Sequence, residues 1–432
     1  MSGGEGDRGL SGTEAGFAYT HALTRGGGRL TTSFTVHGTF SPERVERAVR
    51  RWLGRLPLLS LRITEADGGL CFRQGAPAGA HSLRTAPAGT DDGVAGERLW
   101  WLRAGPGPGA TTRFRLTFHP AICDAYSVGR LVRPLLDALF DTPGLDAADR
   151  AAEALPPDTD DLTYEGGGGC VCGVCGQGGG IGGRGPGPGS GAGSGRGDGR
   201  TPGVATSGDL TSRGVTSGVA TSGVVTLALT PGESRRLREW CGAGQVTVGG
   251  FLTTVLADAL ARETGRSEVT VTTATSLRRR YAERTLIAEP GCVLGLVPTR
   301  LSAGAAGDPL GRTRANAAVL CSAGRAWRPE RRGHAGIRQA VEREEKAGGP
   351  EVRVVDAGSV DTALGPHAAR ITGLCTVAAR GAGRPGGSLY LSSFKGALTV
   401  ALSSRGLGER WAARAERELS EAARLRPAFS PL

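Results

Sequence analysis

The sequence predicts a layered α/β protein (α+β in its layering) with two core-bearing blocks, and three observations carry that prediction. Strand-like alternation and helix-like periodicity are interleaved in both halves of the chain. With 432 residues and 39% hydrophobic content, the chain is long enough for two cores of ordinary size. A Gly-rich stretch of low complexity, 166–222, divides it. The predicted division is a disordered N-terminus over 1–11, an N-terminal lobe over 12–165, a linker over 166–222 and a C-terminal lobe over 223–432.

In the first block, 30–38 alternates as a strand. Ser41-Pro42-Glu43 opens a helix with Ser as N-cap and Pro at the first position, and Val45, Ala48, Val49, Trp52 and Leu53 give it one apolar face. Residues 58–63 read as a second strand. Residues 113–119 alternate clearly: Phe114, Leu116 and Phe118 face one way, and Arg113, Arg115, Thr117 and His119 the other. Leu131, Leu135, Leu136 and Leu139 mark a further helix, which Pro134 should kink or shorten.

The linker supplies few large apolar side chains to offset the entropy of ordering it. After it, 224–229 reads as a strand. Thr230-Pro231-Gly232-Glu233 is a capping box at the start of a helix. Residues 247–264 form a strong helix that Gly265 stops. Residues 268–274 alternate as a strand. Residues 388–394 and 397–403 flank Lys395-Gly396 as a hairpin. Trp411, Ala415, Leu419 and Ala422 lie on one face of a last helix.

Composition narrows the function classes. The formal charge is +11, carried almost wholly by arginine, since Lys346 and Lys395 are the only lysines. The arginines are interspersed with Asp and Glu rather than gathered in a stripe, so a solvated surface is expected and not a nucleic-acid binder. No window approaches 18 apolar residues, and the polar, Gly-rich 1–11 has no apolar core of a leader, so a cytoplasmic protein without a membrane span is expected. Most of the nine cysteines stand alone in apolar patterns, as Cys123, Cys292 and Cys375 do, which suits buried free thiols in a reducing compartment. Cys170, Cys172 and Cys175 form a Cys-x-Cys-x-x-Cys cluster without a nearby fourth ligand, so redox-labile thiols are expected there and no metal. His21, His37, His81, His334 and His367 show no metal spacing. Gly105 to Gly109 lacks the strand, helix and Lys-Ser/Thr of a phosphate loop.

The segment Leu116-Thr117-Phe118-His119-Pro120-Ala121-Ile122-Cys123-Asp124-Ala125-Tyr126-Ser127 resembles the His-His-x-x-x-Asp-Gly signature of the condensation-domain and chloramphenicol-acetyltransferase-like superfamily. Leu56-Pro57-Leu58-Leu59 resembles that family's His-Pro-Leu-Leu-Arg. Ser276-Leu277-Arg278-Arg279-Arg280, with 291–298 after it, is similar to its Asp-Leu-Arg-x-Arg and the following Gly-centred strand. The ordered set covers both blocks, skips the linker and is most similar to the polyketide-associated acyltransferase branch.

The resemblance implies two pseudo-symmetric lobes with a tunnel between them. An acyl thioester of coenzyme A or of a phosphopantetheine carrier would enter as donor, and no cofactor would be bound. In that family the second His is the general base that takes the acceptor's proton, a role suited to a group whose pKa lies near neutrality. Counted back from Asp124, the second His maps to Pro120, the first to His119, and the Gly to Ala125.

Neighbouring residues of a strand point to opposite faces, so if Pro120 lines the tunnel His119 faces away. A one-residue slip would bring His119 round only by turning Phe114, Leu116 and Phe118 off the core. The resemblance pairs Asp124 with Arg278, and Asp124 also suits a helix N-cap. Ser127 is placed either along the tunnel or as a capping residue. The candidate catalytic residues are therefore His119 and Asp124, with Pro120 at the expected base position, and the candidate substrate-binding residues are Ser127 and Arg278. The expected function is acyl transfer to a hydroxyl or amine in secondary-metabolite or lipid biosynthesis, weakened or lost through Pro120. The alternatives are a pseudo-enzyme that binds an acyl carrier protein or a biosynthetic partner enzyme, and a structural partner of an active homologue.

Overall fold

The structure, a computed structural model, describes residues 8–66, 68–75, 99–142, 159–161, 222–278, 289–303, 308–329, 332–347, 351–379, 386–405 and helical residues between 411 and 421. The linker and its cysteine cluster, Arg279, Arg280 and His81 lie outside the described residues.

In the first block the elements are β1 (Arg8–Gly9), α1 (Gly12–Leu23), β2 (Leu30–His37), α2 (Pro42–Arg55), β3 (Leu61–Ala66), β4 (Gly69–Gln74), β5 (Trp100–Pro106), β6 (Thr111–Phe118) and α3 (Val128–Leu139). In the second they are β7 (Ser222–Leu229), α4 (Pro231–Ala243), α5 (Val248–Thr264), β8 (Glu268–Ser276), β9 (Leu294–Ser302), α6 (Pro309–Ala326), α7 (His334–Ala347), β10 (Glu351–Ser359), α8 (Asp361–Leu364), β11 (Ile371–Ala378), β12 (Gly386–Phe394) and β13 (Ala397–Arg405).

Two main sheets organise the layers. A four-stranded antiparallel sheet runs β11-β2-β6-β5, and a six-stranded mixed sheet runs β7-β13-β12-β10-β8-β9, with β10 parallel to both β8 and β12. A small sheet, β1-β4-β3, flanks the first lobe.

Local sequence accounts for most of these elements. Ser41 accepts the Arg44 N–H at the start of α2, and Pro42 occupies the first turn. Thr230 and Glu233 satisfy each other's backbone N–H groups as a complete capping box. Thr247 caps α5, and Gly265 ends it at φ +64, a conformation that strains a residue with a Cβ. Lys395 and Gly396 both take positive φ between β12 and β13, which matches the right-handed twist of a tight hairpin. Trp411, Ala415 and Leu419 are helical and buried against the second core. Gly107 and Gly109 belong to the turn between β5 and β6.

Four expectations need correction. Residues 8–11 are ordered: β1 pairs with β4, and Ser11 forms a capping box with Glu14. Residues 57–60 form a 3-10 turn before β3 begins at Leu61, because Pro57 sets a helical φ and has no N–H to give a ladder. Helix α3 runs through Pro134 to Leu139, its whole apolar stripe buried against α2 and the four-stranded sheet. Packing of that stripe outweighs the single backbone bond that Pro134 removes.

The fourth correction concerns the lobe boundary, which the second block crosses. Strand β11 joins the first lobe's sheet beside β2, where the Thr376 and Thr32 hydroxyls meet at 2.9 Å. His367 binds the Asp137 carboxylate of α3 at 2.6 Å in a buried contact. At the start of α7, His334 accepts the Leu70 N–H at 2.6 Å through Nδ1, and its Nε2 lies 2.9 Å from the Leu10 carbonyl. Long-range pairing of this kind leaves no local pattern in the sequence. No single helix among the described residues is long and apolar enough to cross a membrane.

Replacing His334 with Ala removes the partners of the Leu70 N–H and the Leu10 carbonyl. The expected loss is about 1–3 kcal/mol in urea unfolding, with the first protease cuts moving to the N-terminal segment. An unchanged unfolding midpoint and cleavage pattern would show that this bridge is dispensable.

Candidate functional site

The motif 119–127 lies where β6 meets the second lobe. His119 donates its N–H to the Leu99 carbonyl at 2.7 Å, extending the pairing along β5. Pro120 has no N–H with which to continue, and the chain turns there. The Ile122 N–H closes the turn on the His119 carbonyl at 3.1 Å, and the Ala121 N–H donates to His119 Nδ1 at 3.1 Å. The imidazole is thus tied to its own turn, and the proton of its neutral form sits on Nε2.

His119 is 4% exposed and packs against the ring of His21 on α1, with centroids 4.2 Å apart. Burial holds the His119 pKa well below the usual histidine range, with His21 and Arg29 acting in the same direction. Burial, with Arg29 assisting, lowers His21 to about 4. Both rings are therefore neutral at physiological pH.

Asp124 and Ser127 form a clasp between the lobes. Asp124 Oδ1 accepts the Ser127 N–H at 2.9 Å and lies 2.8 Å from the Ser127 hydroxyl. Asp124 Oδ2 accepts the Val293 N–H at 3.0 Å and pairs with Arg278 Nη1. Arg278 Nη2 donates to Ser127 Oγ at 2.8 Å and to the Gly291 carbonyl at 3.2 Å. The Gly291 N–H donates to Ser127 Oγ at 2.9 Å. The side chains of Arg278 and Asp124 are 4% and 0% exposed. Asp124 caps the turn ahead of α3. Ser127 stands at that helix's N-cap but bonds across the lobe boundary rather than to the helix N–H groups.

Beside the clasp, a cleft opens between the lobes. Phe17, Leu30, Pro120, Leu294, Leu296 and Val355 make most of its wall apolar. Gly28 belongs to the same wall at φ +81, and a Cβ there would lie 3.2 Å from Pro120 Cγ, so glycine lets that turn close on the proline.

Pro120 and Asp124 reach the cleft lining. His119 lies behind Pro120, and Ser127 and Arg278 are enclosed in the clasp. Cys123, beside Pro120 on the lining, is held as the thiol by burial, with the Asp124 charge adding to the upward shift. It is not poised as a nucleophile. Among the described residues, no group of three or more His, Cys, Asp or Glu could hold a metal.

Sequence reasoning missed the cleft's second wall, where Thr272, Arg353 and Ser388 add polar groups, and also Gly28. The single polar residues that interrupt the apolar strands 351–355 and 388–391 were the available signal.

No protein-family model and no curated protein matches this chain. Solved structures do. The trichothecene 15-O-acetyltransferase TRI3 of Fusarium sporotrichioides superposes with a TM-score of 0.66 at 13% identity, over 98% of this chain and 96% of that one. The first condensation domain of the CDA synthetase gives 0.58 at 16% identity, over 96% and 95%. Polyketide synthase associated protein 5 of Mycobacterium tuberculosis gives 0.57 at 13%, over 97% and 98%. The chain has the two-lobed fold of these structures.

Asp124→Asn places an amide N–H₂ against either the Arg278 and Val293 donors or those of Ser127. Breaking a buried pair from one side typically costs about 3–5 kcal/mol, so a fall of that size in denaturant stability is expected. A neutral result would remove the clasp from the account of lobe docking.

The two histidines set a pH dependence. Their folded pKa values lie below the unfolded value, so their neutral forms favour folding above about pH 6.5, and the unfolded chain takes up their protons as pH falls below it. His21 alone accounts for up to about 3 kcal/mol between pH 7.5 and 4. The urea midpoint should fall over this range, and His21→Leu should flatten the fall.

Proposed function

We propose that this chain receives an acyl thioester, carried by coenzyme A or a carrier protein, in the cleft between its lobes, and that its transfer of the acyl group to a hydroxyl or amine is weak or absent. One observation carries the reading: the residue on the cleft wall where the fold would need a proton acceptor is Pro120, and the adjacent imidazole is turned behind it against His21.

In acyl transfer the acceptor oxygen or nitrogen attacks the thioester carbonyl, loses its proton and expels the thiolate. A positioned base assists the proton's departure, and its loss typically slows the reaction about 10²- to 10⁴-fold. Proline cannot accept a proton. Holding donor and acceptor together still lowers the barrier by several kcal/mol, so a residual rate is compatible with the geometry.

Several features support acyl binding. The lining is largely apolar, and a starter condensation domain of similar fold was solved with C8-CoA. The same features favour a second reading, in which the chain keeps the cleft as a pseudo-enzyme and binds an acyl carrier or a partner enzyme of biosynthesis without turnover.

Purified protein is to be offered octanoyl-CoA with simple alcohols and amines, and thiol release measured. Wild-type turnover is expected to lie about 100-fold or more below that of Pro120→His, with His119→Ala equal to wild type. Fast wild-type turnover that disappears in His119→Ala would make His119 the base and overturn the proposal. Tight octanoyl-CoA binding without turnover in either protein favours the pseudo-enzyme reading.

A further inference from the structure

The second wall of the cleft carries a polar row whose hydrogen bonds are incomplete. Strands β8, β10 and β12 are parallel neighbours, and Thr272, Arg353 and Ser388 stand in register across them. Registered residues of adjacent strands share a face about 4.8 Å apart, and all three line the cleft.

Arg353 is organised from one side. Its Nε donates to Glu351 Oε2 at 3.3 Å, and Glu351 Oε1 takes the Thr272 hydroxyl at 2.5 Å. That leaves Arg353 Nη1 and Nη2 with no acceptor among the described residues. The Ser388 hydroxyl, on a residue only 4% exposed, likewise has no partner among them. A half-buried guanidinium with two open donors beside an open hydroxyl is a fork matched to a carboxylate, which it can take in two parallel bonds.

Glu345 on α7 also lines the cleft, but it is not within ion-pairing distance of Arg353. The remaining lining is largely apolar. These donors open onto the cleft rather than being sealed from it, so a ligand that brings a carboxylate gains charge-assisted hydrogen bonds that its neutral analogue cannot make.

We propose that Arg353 and Ser388 form an anion-binding subsite, and that the cleft's ligand is an apolar molecule bearing a carboxylate. This deepens the reading of the cleft as a substrate site and rests on it. For an acyl-transfer substrate, the carboxylate lies on the acceptor or at the far end of the acyl chain.

The test is direct binding by calorimetry at pH 8, with decanoate and methyl decanoate as probes on the full chain. Wild type is expected to bind decanoate at least tenfold tighter than the ester. Arg353→Gln should remove that preference and leave the ester's affinity unchanged, and Ser388→Ala should weaken decanoate severalfold. Arg353→Gln strips Glu351 of its counter-charge, so Glu351→Gln with Arg353→Gln serves as a neutral second variant with the same expected loss. Equal affinity for the two probes in wild type, or a preference that survives both variants, overturns the subsite while leaving the cleft a ligand site. Binding of neither probe to wild type overturns both.

Discussion

The Asp124–Arg278 pair holds the two lobes in the arrangement that creates a cleft. It joins a turn after the last strand of one lobe to a segment of the other, and it is closed to water on both sides. A buried ion pair seldom adds much stability over an apolar contact, because two charges must leave water. Its usefulness here is geometric. Asp124 accepts from Ser127, Val293 and Arg278, and Ser127 and Arg278 both meet Gly291, so the turn and the 289–293 segment have one mutual register. A charge that loses its partner in a dry setting is strongly penalised, and alternative dockings of the lobes are penalised by the same interaction.

That register determines what the motif can do chemically. With Asp124 held, the turn that precedes it presents Pro120 to the cleft and ties His119 back through the Ala121 N–H. Turning His119 outward would break that bond and the contact with His21. The turn therefore holds His119 away from the cleft. Cys123, the other ionisable neighbour of Pro120 on the lining besides Asp124, is kept protonated by burial, and Asp124 is engaged by four donors.

Much of this was legible in the chain because the signals were local. The Thr230–Glu233 box, the Gly265 stop and the Lys395-Gly396 turn each depend on a few adjacent residues, and each formed where the sequence placed it. The alternation over 113–118 formed as read, while His119, on its polar face by that reading, is buried against His21. What escaped was non-local. Strand β11 crosses into the first lobe's sheet, α7 packs on α1, and His367 reaches Asp137 across 230 positions. These depend on complementarity between surfaces far apart in sequence. Pro134 misled for a related reason: its backbone cost is local and visible, whereas the burial that outweighs it comes from α2 and the sheet.

The cleft's two walls also differ in kind. On the first-lobe side, residues 120–125 and the 24–28 turn give shape, with proline against glycine and little free hydrogen-bonding capacity. On the sheet side, backbone pairing among β8, β10 and β12 fixes the spacing of three polar side chains to that of neighbouring strands. A site on paired strands is stiffer than one on turns, because each residue is held by bonds to both neighbours. On the proposed reading, ligand selection rests on the sheet wall. The register of Arg353 with Thr272 and Ser388 is set by backbone pairing and does not depend on which residue occupies position 120.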